Sequence, residues 1–382
     1  MRVKAIFLIF NLMKINGEHH TSIKIKNGPL KSIRIIDQRQ LPHRLVWEDL
    51  GFVFEVVQAI KDMHLRGAPL IGAVGAFGCY FATLESGKDQ FLENFNALCD
   101  KIEKARPTAV NLMWAVKNVR SFVTELHDKG TEIKDIQRMA FQKAFEIFGN
   151  DIDQCRKIGI HGLKIIEDVA AKKPDETINI LTHCNAGWLA TCDYGTATSS
   201  IYQAHDKGIK VHVWVDETRP RNQGAKLTAW ELGQHGIPHT VIADNTGGHL
   251  MQHGQVDLCI VGSDRTTRTG DVANKIGTYL KALAAYDNQV PFYVALPSTT
   301  FDFELREGKD IPIEIRSENE VKYMEGKSNN EIKNVLITPE DSPAINYGFD
   351  VTPARLVTSL ITERGICEAS EAGIIGLFPE QA

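Results

Sequence analysis

Five apolar runs decide the fold: INILTHC (178–184), KVHVWVDE (210–217), HTVIAD (239–244), VDLCIVGSD (256–264) and VPFYVALP (290–297). Each is short and rich in Val, Ile or Leu. The first four are followed by stretches with helical periodicity: 186–207, 225–235, a short helix near His249, and 274–286. Short buried strands alternating with helices imply a parallel sheet covered on both faces. The expected architecture is α/β, with a Rossmann-like, doubly wound domain over residues 151–382. The polar segment 309–346 reads as loop with a small hairpin or lid, and 353–363 as a helix near the end of the chain.

Upstream of this sheet the pattern changes. EDLGFVFEVVQAIKDM (48–63) and QRMAFQKAFEIF (137–148) carry helical periodicity. IKIKNG (23–28) and SIRIID (32–37) are β-like and separated by Asn-Gly, a hairpin signal. Residues 22–150 therefore read as a smaller, mostly helical N-terminal domain with a short β element. The segment 151–168 reads as a further helix leading into the sheet. The first residues, MRVKAIFLIFNLMKI (1–15), form an apolar run with no A-x-A-like cleavage site, too short to span a membrane as a helix. Residues 1–21 are read as an extension, either a disordered tail or a start codon placed upstream of a true start near Met13.

Composition narrows the function. The chain has 382 residues, enough for two domains. A net charge of −5 lacks the basic footprint that nucleic-acid binding needs. Seven cysteines without a CxxC pair argue against a disulfide framework and structural zinc, and for a reducing, cytoplasmic compartment. His249 and His253 have metal-ligand spacing, but no HExxH glutamate accompanies them. No metal and no cofactor is expected. The run RGAPLIGAVGAFG (66–78) lacks the preceding strand of a dinucleotide fingerprint, and its Gly72, Gly75 and Gly78 fit close helix packing.

In open α/β sheets, ligands bind beyond the carboxyl ends of the strands. Four successive strand ends carry reactive or ligand-type residues: Cys184, then Asp216 and Glu217, then Asp244 and Asn245, then Asp264. Cys184 follows a strand and precedes a helix, where a thiol becomes a base or nucleophile; the alternative is a small buried hydrophobe. Asp264 follows an apolar strand that would bury it, as a general acid or base requires; the alternatives are a helix cap or a partner for Arg265. His183 is turned away from Cys184 by strand alternation and is expected to face the core or orient a neighbour. Phosphate needs backbone N–H groups at helix starts plus Arg or Lys. Candidates are Arg66 with Gly67 and Ala68, Arg106 with Pro107 and Thr108, Arg221 to Gly224 including Gln223, and Asn274 with Lys275.

At these residues the sequence resembles the methylthioribose-1-phosphate isomerase family, in the superfamily that also holds the α, β and δ regulatory subunits of translation initiation factor 2B. The matching stretches include RGAPLIG (66–72), RPTAVNLMWAV (106–116), LTHCNAGWLAT (181–191), VDETRPRNQGAKLTAWEL (215–232), VGSDRTTRTGDVANKIGTY (261–279) and FDVTPARLVTSLITERG (349–365). The resemblance implies that Cys184 and Asp264 are the catalytic pair. It implies that Arg66, Gly67, Ala68, Arg106, Gln223, Asn274 and Lys275 bind a sugar-phosphate substrate, chiefly its phosphate. It also implies a homodimer that needs neither metal nor nucleotide. The expected reaction converts 5-methylthioribose 1-phosphate to the ketose in methionine salvage. The alternatives are the same chemistry on 5-deoxyribose 1-phosphate or ribose 1,5-bisphosphate, and a non-catalytic regulatory subunit. Ser263, where the family often has Ala, and RTTRTGD (265–271) depart from the family pattern.

Overall fold

A computed structural model describes residues 13–26, 32–107 and 109–382. The expectations for residues 1–12, for the Asn27-Gly28 turn and for Thr108 lie outside the described residues. Strands β1 (Lys14–Ile15) and β2 (Glu18–His19) form a tight hairpin. Its two turn residues, Asn16 and Gly17, both have positive φ, as a type I′ turn requires. Met13 and Ile15 are buried, and Ser22 N–H donates to the Cys192 carbonyl at 3.0 Å. Residues 13–21 are therefore packed onto the body of the protein, in contrast to the expected extension. Strands β3 (Ile23–Lys26), β4 (Ser32–Ile36) and β5 (Trp47–Leu50) form an antiparallel sheet.

The stretch 48–63 is not one helix, as its periodicity suggested. It is β5 followed by α1 (Val53–Lys61). The Glu55 carboxylate accepts the N–H groups of Gly51 and Phe52 at 2.7 and 3.1 Å, which starts the helix there. Helices α2 (Ala68–Glu85), α3 (Phe91–Glu103) and α4 (Val110–Asp128) complete a helical core. α2 is apolar all round because it is buried all round. Its Gly72 and Gly75 lie against Asn111 and Leu112 of α4, the close packing expected from their spacing. Helix α5 (Ile133–Lys172) runs unbroken for 40 residues, about 60 Å. The expected domain boundary at 150/151 falls inside it. Ile136, Ala140 and Ala144 pack in the helical core, and Cys155, Ile158 and Ile166 pack against the sheet.

The second half contains β6 (Ile178–Thr182), α6 (Ala197–Asp206), β7 (Val211–Asp216), α7 (Ala229–His235), β8 (His239–Ile242), α8 (Thr246–Gln252), β9 (Leu258–Val261), β10 (Arg265–Thr267), β11 (Val272–Lys275), α9 (Thr278–Asp287) and β12 (Phe292–Ala295). β13 (Phe301–Asp302) is followed by β14 (Ile315–Arg316), α10 (Asn319–Lys322), the hairpin β15 (Tyr323–Ser328) and β16 (Glu331–Leu336), then β17 (Asn346–Tyr347) and β18 (Phe349–Thr352). The chain ends with β19 (Ser359–Thr362), β20 (Gly365–Cys367) and α11 (Glu371–Leu377).

The main sheet has the order β20-β19-β12-β9-β6-β7-β8. All its pairings are parallel except β19 with β20. Separate apolar cores cover its two faces. The expected α/β class is thus the observed one. Winding runs outward from β6 through β7 to β8, then restarts on the other side of β6 with β9. Three helix boundaries differ from expectation. The segment 186–207 is a 3₁₀ turn (Trp188–Ala190) and then α6, because Gly195, at φ +79°, interrupts the run. Asn274 and Lys275 end strand β11, and α9 starts only after Gly277. The segment 353–363 is a 3₁₀ turn followed by β19, whose β-branched residues extend the parallel sheet.

Phe77 of α2 is fully buried and touches Phe141 and Phe148 of α5 at ring-centroid distances of 6.1 and 6.4 Å. Replacing it with Ala should lower stability by about 3–5 kcal/mol, read as a shift of the urea midpoint. A shift below about 1 kcal/mol would mean that this seam does not hold the helical half together.

Candidate active site

The switch in winding lies between β6 and β9, and both expected reactive residues follow those two strands. Cys184 comes two residues after the end of β6 and has left-handed backbone, φ +65°, which is costly for any residue but glycine. Two threonines hold it there. Cys184 N–H donates to Thr218 Oγ1 at 2.8 Å, and Thr228 Oγ1 donates to the Cys184 carbonyl at 2.7 Å. Burial pushes the Cys184 thiol up, while Arg66 and Lys275 pull it the other way. Asp264, half-buried, follows β9 after Gly262 and Ser263. It leads into strand β10 and so caps no helix, and the neighbouring Arg265 reaches Asp302 at 3.6 Å.

Cys184 and Asp264 line one cavity, together with Arg66, Gly67, Ala68 and Asn274. Gly67 has φ +99°, and a Cβ there would lie 2.3 Å from the Ala190 carbonyl oxygen. Only glycine lets the start of α2 press so closely against this turn. Gly67, Ala68 and Pro69 at the start of α2 thus border the cavity, with the positive end of the helix dipole. A second cavity shares Ala68 and Asp264 and adds Arg106, with apolar walls from Ile71, Ile311 and Phe349. A third shares Arg66 and adds Gln223 and Arg221. The three cavities together draw residues from both halves of the chain, Arg66 and Arg106 among them.

Two of the expected binding residues carry unpaired polar atoms. Arg106 Nε and Gln223 Oε1 are buried with no hydrogen-bond partner among the described residues. Buried polar atoms are nearly always paired, so orphans facing a recess point to a ligand. Lys275 sits behind the rim. Its Nζ donates to the Gly348 carbonyl at 2.9 Å and lies 4.8 Å from the centre of the Phe349 ring. Burial lowers it, and the negative forms of Cys184 and Asp264 oppose that shift. Burial also lowers Arg106, against the pull of Glu314, 3.5 Å away, and Asp264.

Sequence reasoning missed several supporting residues. Asn185 Oδ1 accepts from Arg66 Nη1. Glu231 of α7 is fully buried and accepts the Leu189 N–H at 2.6 Å and the Tyr202 hydroxyl at 3.2 Å. Burial raises its carboxyl to about 7. The signal was an acid inside the apolar helical run TAWELG (228–233). Glu314 arrives from a segment that reads as loop. His183, Asp216 and Asp244 place possible ligand atoms within 4.8 Å of one another. The ammonium of Lys281, 3.2 Å from Asp216 Oδ2, already supplies the cation there. His249 and His253 form no such group; His253 Nδ1 donates to the His249 carbonyl at 2.8 Å.

Fold and site define an α/β protein with a thiol and an acid at the switch point and two arginines, Arg66 and Arg106, brought in by an adjoining helical unit. The model of the Initiation factor 2 subunit family matches residues 64–369. A methylthioribose-1-phosphate isomerase of Desulfatibacillum aliphaticivorans is 56% identical over 371 residues, covering 97% of this chain and all of its own. The enzyme of that name from Rhizobium meliloti is 55% identical over 372 residues, with the same coverage. The crystal structure of 5-methylthioribose 1-phosphate isomerase from Pyrococcus horikoshii is similar at TM-score 0.80 and 38% identity, over 94% of this chain and 96% of that one. That of translation initiation factor eIF-2B, subunit delta, from A. fulgidus reaches 0.77 and 35%, over 94% and 99%. The chain belongs to the Initiation factor 2 subunit family and, within it, to the methylthioribose-1-phosphate isomerases.

Glu231 gives a pH prediction. Its carboxyl ordinarily titrates near 4.5 and in the folded protein near 7. Between those values the folded state keeps a proton that the unfolded state has released. Its contribution to stability therefore falls as pH rises from about 4.5 to 7. Glu231→Gln should flatten this part of the curve and gain on the order of 2 kcal/mol over wild type above pH 7, measured by urea unfolding across the range. Asp151, raised to about 6 by burial, titrates in the same window in both proteins and cancels in the comparison. Parallel curves would show that Glu231 is charged throughout.

Proposed function

We propose that the protein is an aldose–ketose isomerase that converts 5-methylthioribose 1-phosphate to 5-methylthioribulose 1-phosphate, a step of methionine salvage. The observation that carries the reading is that Cys184 and Asp264 line one cavity together with Arg66 and the start of α2. The isomerase relatives, similar over nearly the whole chain, support it.

The anomeric oxygen of this substrate is blocked by phosphate, so the ring opens only with acid assistance. Asp264 donates a proton to the ring oxygen as the bond from that oxygen to C1 breaks, with the electron pair leaving on oxygen. The hydrogen on C2 then moves to C1, and the C2 hydroxyl loses its proton to become the ketone. Cys184 handles the proton on the C2 side, and no external oxidant is required. In one form of this step Cys184 takes the C2 proton to leave an enol, then returns a proton to C1 while the C2 hydroxyl proton passes to the Asp264 carboxylate. In the other, hydride shifts directly from C2 to C1 and Cys184 takes the hydroxyl proton. Solvent deuterium at C1 of the product would exclude an obligatory hydride shift. Arg66, Arg106, Gln223, Asn274 and Lys275, with the N–H groups around Gly67 and Ala68, hold the phosphate end.

The reading includes a cytoplasmic homodimer. It is supported by seven free cysteines and by the stacked, exposed Phe52 and Phe54, ring centroids 6.0 Å apart, which suit an apolar contact between copies.

The test is ketose formation by purified protein, without added metal or nucleotide, from 5-methylthioribose 1-phosphate, 5-deoxyribose 1-phosphate and ribose 1,5-bisphosphate. The methylthio sugar should be preferred. Cys184→Ala and Asp264→Asn should each lower kcat at least about 10³-fold with the fold intact. Arg106→Ala should act mainly by raising KM, about tenfold or more. Preference for another sugar would move the protein to a different pathway. No turnover of any sugar would favour a regulatory role like that of initiation factor subunits.

A further inference from the structure

Directly before Cys184 stands a histidine that the chemistry above does not use. The His183 side chain is fully buried, and each of its ring nitrogens faces an acceptor. Nδ1 donates to Asp216 Oδ2 at 2.8 Å, and Nε2 donates to the Ile276 carbonyl at 2.9 Å. Asp216 ends β7, the strand beside β6. Ile276 follows Asn274 and Lys275 at the end of β11. One ring thus joins the residue next to Cys184 to the residue next to Lys275, across two separate sheets.

The surroundings preserve this seat. Asp216 is anchored by Lys281 of α9, whose Nζ lies 3.2 Å from Oδ2, the oxygen that also accepts from His183. Gly277 has φ +102°, and a Cβ there would stand 3.0 Å from His183 Cε1, pressing on the ring. The 274–279 segment also has anchors of its own. Asp350 accepts the N–H groups of Gly277 and Tyr279 at 2.7 and 3.1 Å, and Lys275 Nζ is tied to Gly348. With these anchors the segment would stay folded on loss of the histidine contact, and what would go is its tie to the β6 side.

We propose that His183 is a positioning residue for the isomerisation: its Nε2 contact sets the spacing between the Cys184 thiol and the Asn274–Lys275 pair that holds the substrate. The proposal rests on the assignment of Cys184 and Lys275 made above. Reacting groups displaced by about 1 Å lose on the order of 100-fold in rate, so a contact of this kind shows in kcat.

Two variants separate the two ends of the ring. An Asn amide nitrogen substitutes for Nδ1 and a Gln amide nitrogen for Nε2. His183→Asn keeps a donor toward Asp216 and loses the tie to Ile276. His183→Gln keeps the tie. Turnover of 5-methylthioribose 1-phosphate and urea midpoints are measured for both, with the rate of Cys184 alkylation by iodoacetamide followed by peptide mass spectrometry. His183→Asn should lose about 100-fold in kcat while free Cys184 alkylates within about threefold of the wild-type rate, and His183→Gln should keep kcat within about tenfold of wild type. Equal losses in the two variants, a larger loss in Gln than in Asn, or losses that follow the urea midpoint, including failure of both to fold, would overturn the positioning role. Wild-type kcat in His183→Asn would overturn it as well. A wild-type protein silent on the sugar would instead sink the isomerase assignment, and the positioning role with it.

Discussion

The site depends on one constraint: strands β6 and β9 are neighbours in the sheet although about 75 residues separate them in the chain. Winding outward from β6 and then restarting on its other side leaves a crevice that no crossover helix fills. Loops leaving the two strands must diverge there, and one carries Cys184 and the other Asp264. Cys184 is held in a strained backbone by Thr218 and Thr228, themselves supplied by segments beyond β7. The strain is sustained because the turn is tied on both its N–H and its carbonyl side.

The second constraint is electrostatic. The recess draws positive charge from Arg66 and Arg106 of the helical half, from Lys275 and from the start of α2. Asp264 and Glu314 are the acids set against Arg106. Glu314 reaches Arg106 only at 3.5 Å, and Arg106 Nε is left unpaired. Such an arrangement is costly in an empty protein and makes sense when an anion completes it. The buried Glu231, placed behind Asn185 and Arg66, is raised to about 7 by burial, so the charge it sets against Arg66 changes across the physiological range.

Much of this was legible in the sequence. Alternating strands and helices announced the sheet, and the residues after INILTH and VDLCIVGS mark the rim. Local pattern failed where tertiary context overrode it. SLIT (359–362) has no periodicity that separates a helix from a buried strand, and only the vacant place beside β12 decides it. Asn274 and Lys275 looked like the start of a helix, because nothing in ANKIG announces that β11 pairs with a distant β18. Glu314 and the two-ended contact of His183 were invisible for the same reason: their partners are set by topology. The packed hairpin at residues 13–21 shows the opposite case. Its Asn-Gly turn was readable, but the apolar text before it drew attention away.

Helix α5 carries a consequence of its own. One unbroken rod serves as a wall of both cores, so its register fixes how the helical half meets the sheet. Arg66 and Arg106 come from one side of that seam, and the thiol and the acid from the other. Recombination between diverged relatives therefore meets an obstacle within this helix. A breakpoint there must match two hydrophobic stripes and the docking of both halves at once. Inheritance should pass the two halves on together, and substitutions along α5 should be judged by what they do to the meeting of distant parts and not by what lies beside them.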